Sequence, residues 1–158
     1  MRVLGIDPGT SVTGYGVVEY GNGTPGFGRL IECGVIRLTT RSPLPRRLAQ
    51  LHDGIVQLIE RHQPTALALE DAFYHKNVRT TLVLGHARGV VLLAAQQHAL
   101  AISEYAPATV KKSVVGAGAA PKSQVAAMVA RLLRLKHAPR PSDAADGVAV
   151  ALTHVIRS

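Results

Sequence analysis

Four carboxylates stand where chemistry is possible. Asp7 ends the run Arg2-Val3-Leu4-Gly5-Ile6 and is followed at once by Pro8-Gly9. Glu70 ends a second apolar run, Ala66-Leu67-Ala68-Leu69. Short unbroken apolar runs closed by Gly or Pro read as strands buried on both faces. Open α/β sheets hold their sites at the carboxyl ends of such strands. Asp143 and Asp146 open the last helical stretch, right after Ser142, and residues three apart share a helix face. Acids in a first helical turn also complement the helix dipole, which by itself accounts for Asp143. Asp146 lies deeper, beside a packing face of Val148, Ala149, Leu152 and Val155.

Gathered at one sheet edge, these acids would repel one another. Two like charges about 4 Å apart cost roughly 4 kcal/mol at an effective dielectric near 20. Protons or divalent cations must neutralise such a cluster. Oxygen-only ligation suits Mg²⁺, with Mn²⁺ as a substitute, rather than zinc. Two such ions about 4 Å apart can activate a water and stabilise the leaving oxygen of a phosphodiester. No pair of the seven histidines has zinc spacing with a third ligand. Cys33 is the only cysteine, which excludes an internal disulfide and a thiolate cage.

The elements that must position these acids follow from periodicity. After the strand ending at Asp7, Gly14 to Tyr20 alternates as a second strand, and Gly21-Asn22-Gly23 reads as a hairpin turn. Gly26 to Leu38 is a third strand. Leu48, Leu51, Ile55, Leu58 and Ile59 recur at helical spacing up to Pro64. Ala66 to Glu70 is a fourth strand, Asp71 to Arg79 a loop, and Thr80 to His98 a long helix. Leu100 to Glu104 is a fifth strand, followed by helices over 107–115 and 122–135 and a final one capped by Ser142 and running to Ile156. The expected fold is α/β: a five-stranded mixed sheet, three antiparallel strands and then parallel ones, flanked by helices on both faces. In it, the strands ending at Asp7 and Glu70 lie side by side.

The 158 residues read as a single domain, 1–158, able to bury roughly 70% of the unfolded surface. Lys and Arg number 18 against 10 Asp and Glu, and that excess points to a polyanionic partner, nucleic acid before membrane. The apolar stretches break well before membrane length, and no signal segment is legible, so a soluble protein of a reducing, cytoplasmic compartment is expected.

Taken together the motifs are specific. Gly5-Ile6-Asp7-Pro8-Gly9 with Thr13-Gly14-Tyr15-Gly16, Glu70-Asp71-Ala72-Phe73, and Leu84-Gly85-His86-Ala87-Arg88-Gly89-Val90 come first. Val110-Lys111-Lys112-Ser113-Val114-Val115-Gly116, Lys122-Ser123-Gln124-Val125 and Asp143-Ala144-Ala145-Asp146 follow in order over nearly the whole chain. This pattern resembles the RuvC family of bacterial Holliday junction resolvases, within the RNase H-like nuclease superfamily. The resemblance implies an RNase H-like fold and a Mg²⁺-dependent endodeoxyribonuclease that cuts four-way DNA junctions by paired symmetric nicks in recombination and repair. It maps the family's metal-binding acids onto Asp7, Glu70, Asp143 and Asp146, and places Lys111 and Lys122 near the scissile phosphate. It assigns Phe73 as a wedge that stacks on bases at the opened junction centre, a role with a known physical basis. It further implies a two-fold homodimer and delivery by a branch-migration motor of the RuvA and RuvB type.

The residues themselves supply a matching basic surface. Lys76, Arg79, Lys111, Lys112 and Lys122 fall in expected loops or at helix starts near the acidic edge, where cations contact phosphates. The helix from Thr80 to His98 is apolar almost all round and must be covered on more than one face. A two-fold dimer built on it would present one site to each of two strands. Of the histidines, His52, His62, His98 and His137 read as surface or helix-end residues, and His154 as a packing residue. Asp7-Pro8-Gly9-Thr10 is also similar to the phosphate loop of actin-like kinases, but that reading needs a second lobe and leaves the other acids unexplained. A nuclease for RNA–DNA hybrids would share the carboxylates; a junction-binding protein without activity would have no need of them.

Overall fold

The computed structural model of the chain describes residues 1–71 and 76–158. Its sheet has five strands in the order β3-β2-β1-β4-β5, with β1 Arg2–Asp7, β2 Val12–Glu19, β3 Arg29–Arg37, β4 Ala66–Glu70 and β5 Ala101–Tyr105. β1, β2 and β3 pair antiparallel, while β4 and β5 are parallel to β1. The helices are α1 Leu44–His62, α2 Val78–Gln97, α3 Pro107–Val115, α4 Lys122–Leu132 and α5 Ser142–Arg157.

The central strands are apolar on both sides because both sides are covered. One core layer, beneath α3, α4 and α5, includes Val3, Val18, Ala68, Val129, Val148 and Leu152. The opposite layer, beneath α1 and α2, takes Leu4, Ile6, Val17, Leu67, Leu69, Ile55 and Val91. Consecutive residues of β1 thus point to opposite cores, as the two-residue period of a strand requires.

α5 lies against β1 and β2 more closely than ordinary side chains permit. A Cβ on Gly147 would meet the backbone of Tyr15 at 2.5 Å, and one on Gly14 would collide with the carbonyl oxygen of Asp143. Glycine here permits close approach of backbone to backbone, and this seats the first turn of α5 at the end of β1 that carries Asp7.

Several boundaries differ from the sequence expectation. The β2–β3 connection is long, Tyr20 to Gly28, rather than a tight turn at Gly21-Asn22-Gly23. Gly26 and Gly28 hold φ of 64° and 122°, so the extended strand begins only at Arg29. α2 starts two residues earlier than expected, at Val78, because the Asn77 side chain accepts from the Thr80 N–H and caps it. Ser142 is not a cap: it is the first residue of α5, Pro141 precedes it as N-cap, and no side chain closes that end. α4 stops at Leu132, short of Leu135.

Candidate active site

Strand register brings the first two acids together. β1 and β4 align Val3 with Ala66 through Ile6 with Leu69. One residue further on, Asp7 and Glu70 emerge side by side at the carboxyl edge. A cavity of about 80 Å³ opens there, lined by Asp7, Glu70, Asp146, Lys111, Lys122 and the apolar side chains of Val110 and Val125 among others. Three elements supply its acids: β1, β4 and the first turns of α5. Two more supply its cations, α3 through Lys111 and the start of α4 through Lys122.

The electrostatics are those of crowded carboxylates short of positive charge. Burial is the main reason that the Asp7 carboxyl is pushed up to about 9, and the hydrogen bond and negative charge of Glu70 add to it. With no cation bound, Asp7 thus favours its protonated form, which can donate to Glu70. Burial also raises Asp146, with the charges of Glu70 and Asp143 contributing, while Lys122 pulls the other way. The Lys122 ammonium lies 3.0 Å from Asp146 Oδ2, and this hydrogen bond holds the lysine charged above its usual range. A proton at one end of the cluster and an ammonium at the other thus stand where positive charge is required.

Not every expected residue meets the cavity. Asp143 is not among its lining residues; its backbone packs on Gly14, and its charge reaches the site through space, at Asp146 and Lys122. Lys112 lines a different groove, with Thr109, Ser113, Ile156 and Arg157, because it is one residue out of phase with Lys111 on α3. Arg79 lies in the first turn of α2 and borders a separate cavity with Thr10. Lys76 is exposed. Phe73 falls outside the described residues.

Sequence reasoning missed Arg47, which shares the cavity of Arg79 and Thr10. A signal was available: Arg46 and Arg47 sit in the first turn of a helix with no acid there, where cations are disfavoured by the dipole. It also placed His62 as a surface or helix-end residue. His62 does end α1, but it is 8% exposed and hydrogen-bonded to Glu32. His154 packs edge-on against Tyr20 and Tyr105 and bonds the Tyr105 hydroxyl.

Among the described residues, no three His, Cys, Asp or Glu side chains are arranged to hold a metal ion as they stand. The donor set nevertheless fits a hard divalent cation. All its ligating atoms are carboxylate oxygens, and burial together with mutual repulsion raises Asp7 and Asp146, a cost that a bound cation would relieve. Asp7, Glu70 and Asp146 would hold the ion, with the charge of Asp143 acting nearby.

The family profile described as Crossover junction endodeoxyribonuclease RuvC matches residues 3–154. A Crossover junction endodeoxyribonuclease RuvC of Halorhodospira halophila is 48% identical over 153 residues, covering 97% of this chain and 89% of its own. Two solved structures, of Thermus thermophilus RuvC and of T. thermophilus RuvC in complex with Holliday junction substrate, are each 36% identical. Each covers 99% of this chain and 94% of its own, with TM-scores of 0.89 and 0.91.

Proposed function

Because the chain belongs to the RuvC family of crossover junction endodeoxyribonucleases, we propose that it resolves four-way DNA junctions by paired symmetric nicks through the acid cavity at the ends of β1 and β4. The observation that carries this reading is the meeting of Asp7, Glu70 and Asp146 with Lys111 and Lys122 in one cavity. Acids alone would repel a phosphodiester; the two lysines draw it in and offset charge on the pentavalent phosphate. Mg²⁺, two ions per site with Mn²⁺ as substitute, is the cofactor proposed, and when bound it supplies a polarised water and positive charge at the departing 3′-oxygen. The chain's own part is to aim Asp7 and Glu70 from rigid strands and to bring Asp146 on α5. The Val110 and Val125 side chains add apolar surface to the cavity's lining. The product is a 5′-phosphate and a 3′-hydroxyl.

A homodimer on α2 belongs to the same reading. α2 buries only Ala87, Val91, Ala94 and Ala95, while Val78, Leu82 and Leu93 are 74%, 61% and 53% exposed. By length and composition α2 is apolar enough to cross a membrane; its burial against the sheet and the DNA reading favour a second copy as its cover. Phe73 as the stacking wedge, Asp143 as a fourth ligand, Lys76, Arg79 and Lys112 as DNA contacts, cytoplasmic residence, and a RuvA and RuvB type motor complete the proposal.

The test uses a synthetic four-way junction, a matched duplex and an RNA–DNA hybrid, each with Mg²⁺ or chelator. The expected result is paired nicks in the junction alone. They disappear with chelator and fall by about 10³-fold or more in Asp7→Asn, which keeps its junction binding. Cutting of the hybrid instead would keep the site and replace the substrate. Junction binding with no cutting would sink the catalytic reading.

A further inference from the structure

On the α1–α2 side of the sheet a second cavity, of about 240 Å³, is lined by Thr10, Arg47, Arg79, Thr80 and Val83. Two guanidiniums and two hydroxyls converge there, and no carboxylate is among the lining residues. Neither arginine is engaged in an ion pair among the described residues. Arg47 Nε is buried with no hydrogen-bond partner, although its Nη1 reaches the Thr10 carbonyl oxygen at 3.5 Å. A buried guanidinium N–H without an acceptor calls for one, since native structures satisfy nearly all such donors. The positive end of α2, a helix of 20 residues with no acid in its first turn, opens beside the same space through Arg79 and Thr80.

The position of this cavity relative to the acids matters as much as its charge. Asp7 lines one cavity and Thr10 the other, and the three intervening steps of chain span at most about 11 Å. A strand whose scissile phosphate sits at Asp7 has its neighbouring phosphates within that reach, at roughly 3.4 Å of helix rise per nucleotide. We propose that Arg47, Arg79, Thr10 and Thr80 form a second phosphate subsite, which grips a non-scissile phosphodiester of the same DNA strand and sets the register of the nick. It rests on the junction reading above and adds to it a specific residue, Arg47, held on a helix that contributes nothing to the acid cavity. Guanidinium planes are suited to this because they bind phosphate oxygens in pairs. Arg47 acts as a positioning residue; it does not touch the reacting atoms.

The experiment measures junction affinity in chelator against salt concentration, for the wild type, Arg47→Gln and Arg79→Gln, with thermal melting to confirm that each is folded. Each variant is expected to bind roughly three- to tenfold more weakly and to reduce the slope of log affinity against log salt by about one. Arg79 is exposed, so its variant carries the test if Arg47→Gln melts early. Junctions bearing a single neutral methylphosphonate, scanned over about three nucleotides either side of the nick, locate the contact. One position should weaken wild-type binding and leave Arg47→Gln unaffected, as coupled partners do. With Mg²⁺ restored, nicks by Arg47→Gln should spread to neighbouring positions, a readout that a merely structural role would not move. Unchanged salt slopes in both variants, or equal methylphosphonate effects in wild type and variant, overturn the subsite. Stabilisation by inorganic phosphate that Arg47→Gln abolishes, with no methylphosphonate effect, would assign the cavity to a small anion and overturn the DNA contact. A wild type with no preference for the junction over duplex would bring down the junction reading and this subsite with it. A clear preference with flat variant slopes would remove the subsite alone.

Discussion

Glu32 on β3 and Asp7 on β1 lie two strands apart in one sheet, and their surroundings differ in depth of burial and in the number of positive or donating partners. Glu32 accepts from the Tyr15 hydroxyl at 2.8 Å and from Arg61 Nη1 at 3.0 Å, and its second oxygen lies 2.6 Å from His62 Nε2. Burial alone would raise Glu32, but the hydrogen bonds from Tyr15 and His62 and the charge of Arg61 hold it below the usual carboxylate range. Tyr15 shows the other side of that bargain: burial first, then the neighbouring carboxylate, pushes its phenol up to about 12. Asp7 is buried far more deeply, and burial first, then the hydrogen bond and negative charge of its carboxylate partner Glu70, push its carboxyl up instead. The same residue class on the same sheet is thus satisfied at one place and left wanting at the other. A satisfied carboxylate ties helix α1 to the sheet; an unsatisfied cluster is a receptor for cations.

The largest effect separates the two by pH. Asp7 has a folded value near 9 against an ordinary 3.8, so its favourable contribution is complete below about 3.8 and is lost as pH rises toward 9. In chelator, Asp7→Asn should therefore be more stable than wild type by about 2–4 kcal/mol at pH 8, with the gap closing at pH 4. Denaturant titrations at the two pH values check this, and a gap independent of pH would break the contrast. Glu32 has the opposite sign. Its lowered value contributes stability above an ordinary 4.5 that disappears as pH falls through the folded value.

Next in size, Glu32→Ala strips the acceptor from a buried histidine and a tyrosine hydroxyl. A loss of about 1–3 kcal/mol is expected at pH 7, shrinking in acid, with junction nicking retained. Loss of nicking without loss of stability would mean that the network serves the site and not the fold. The smallest effect on stability falls to Lys122→Gln, since the Lys122 side chain is 74% exposed and such pairs contribute under about 1 kcal/mol. Junction cleavage should nonetheless drop roughly tenfold, measured under single-turnover conditions, which would set the lysine's role at the phosphate apart from its bond to Asp146.

Much of the acid cavity was readable in the chain because its makers are local. Apolar runs ending in Asp7 and Glu70 are strands whatever surrounds them, and two parallel strands joined by a crossover helix place their ends together. Asp143 and Asp146 were legible as a pair on one face, yet only the second lines the cavity. That choice belongs to the packing of Gly147 against Tyr15 and of Gly14 against Asp143, contacts between residues more than a hundred positions apart. His62 was read as a helix-end residue and proved to be buried, because its partner Glu32 comes from β3 thirty positions away.

By itself, then, the sequence determined the order of the elements, the mixed sheet, the carboxylates at strand ends and the basic character of the chain, since each depends on a period or a composition spanning a few residues. Tertiary structure decided which acids share a cavity, which lysine of the Lys111-Lys112 pair turns toward them, and that Arg47 and Arg79 meet Thr10 across two helices and a turn. Those outcomes depend on how far one backbone can sink into another and on which side of a helix faces the sheet, and neither is written in any single stretch of chain.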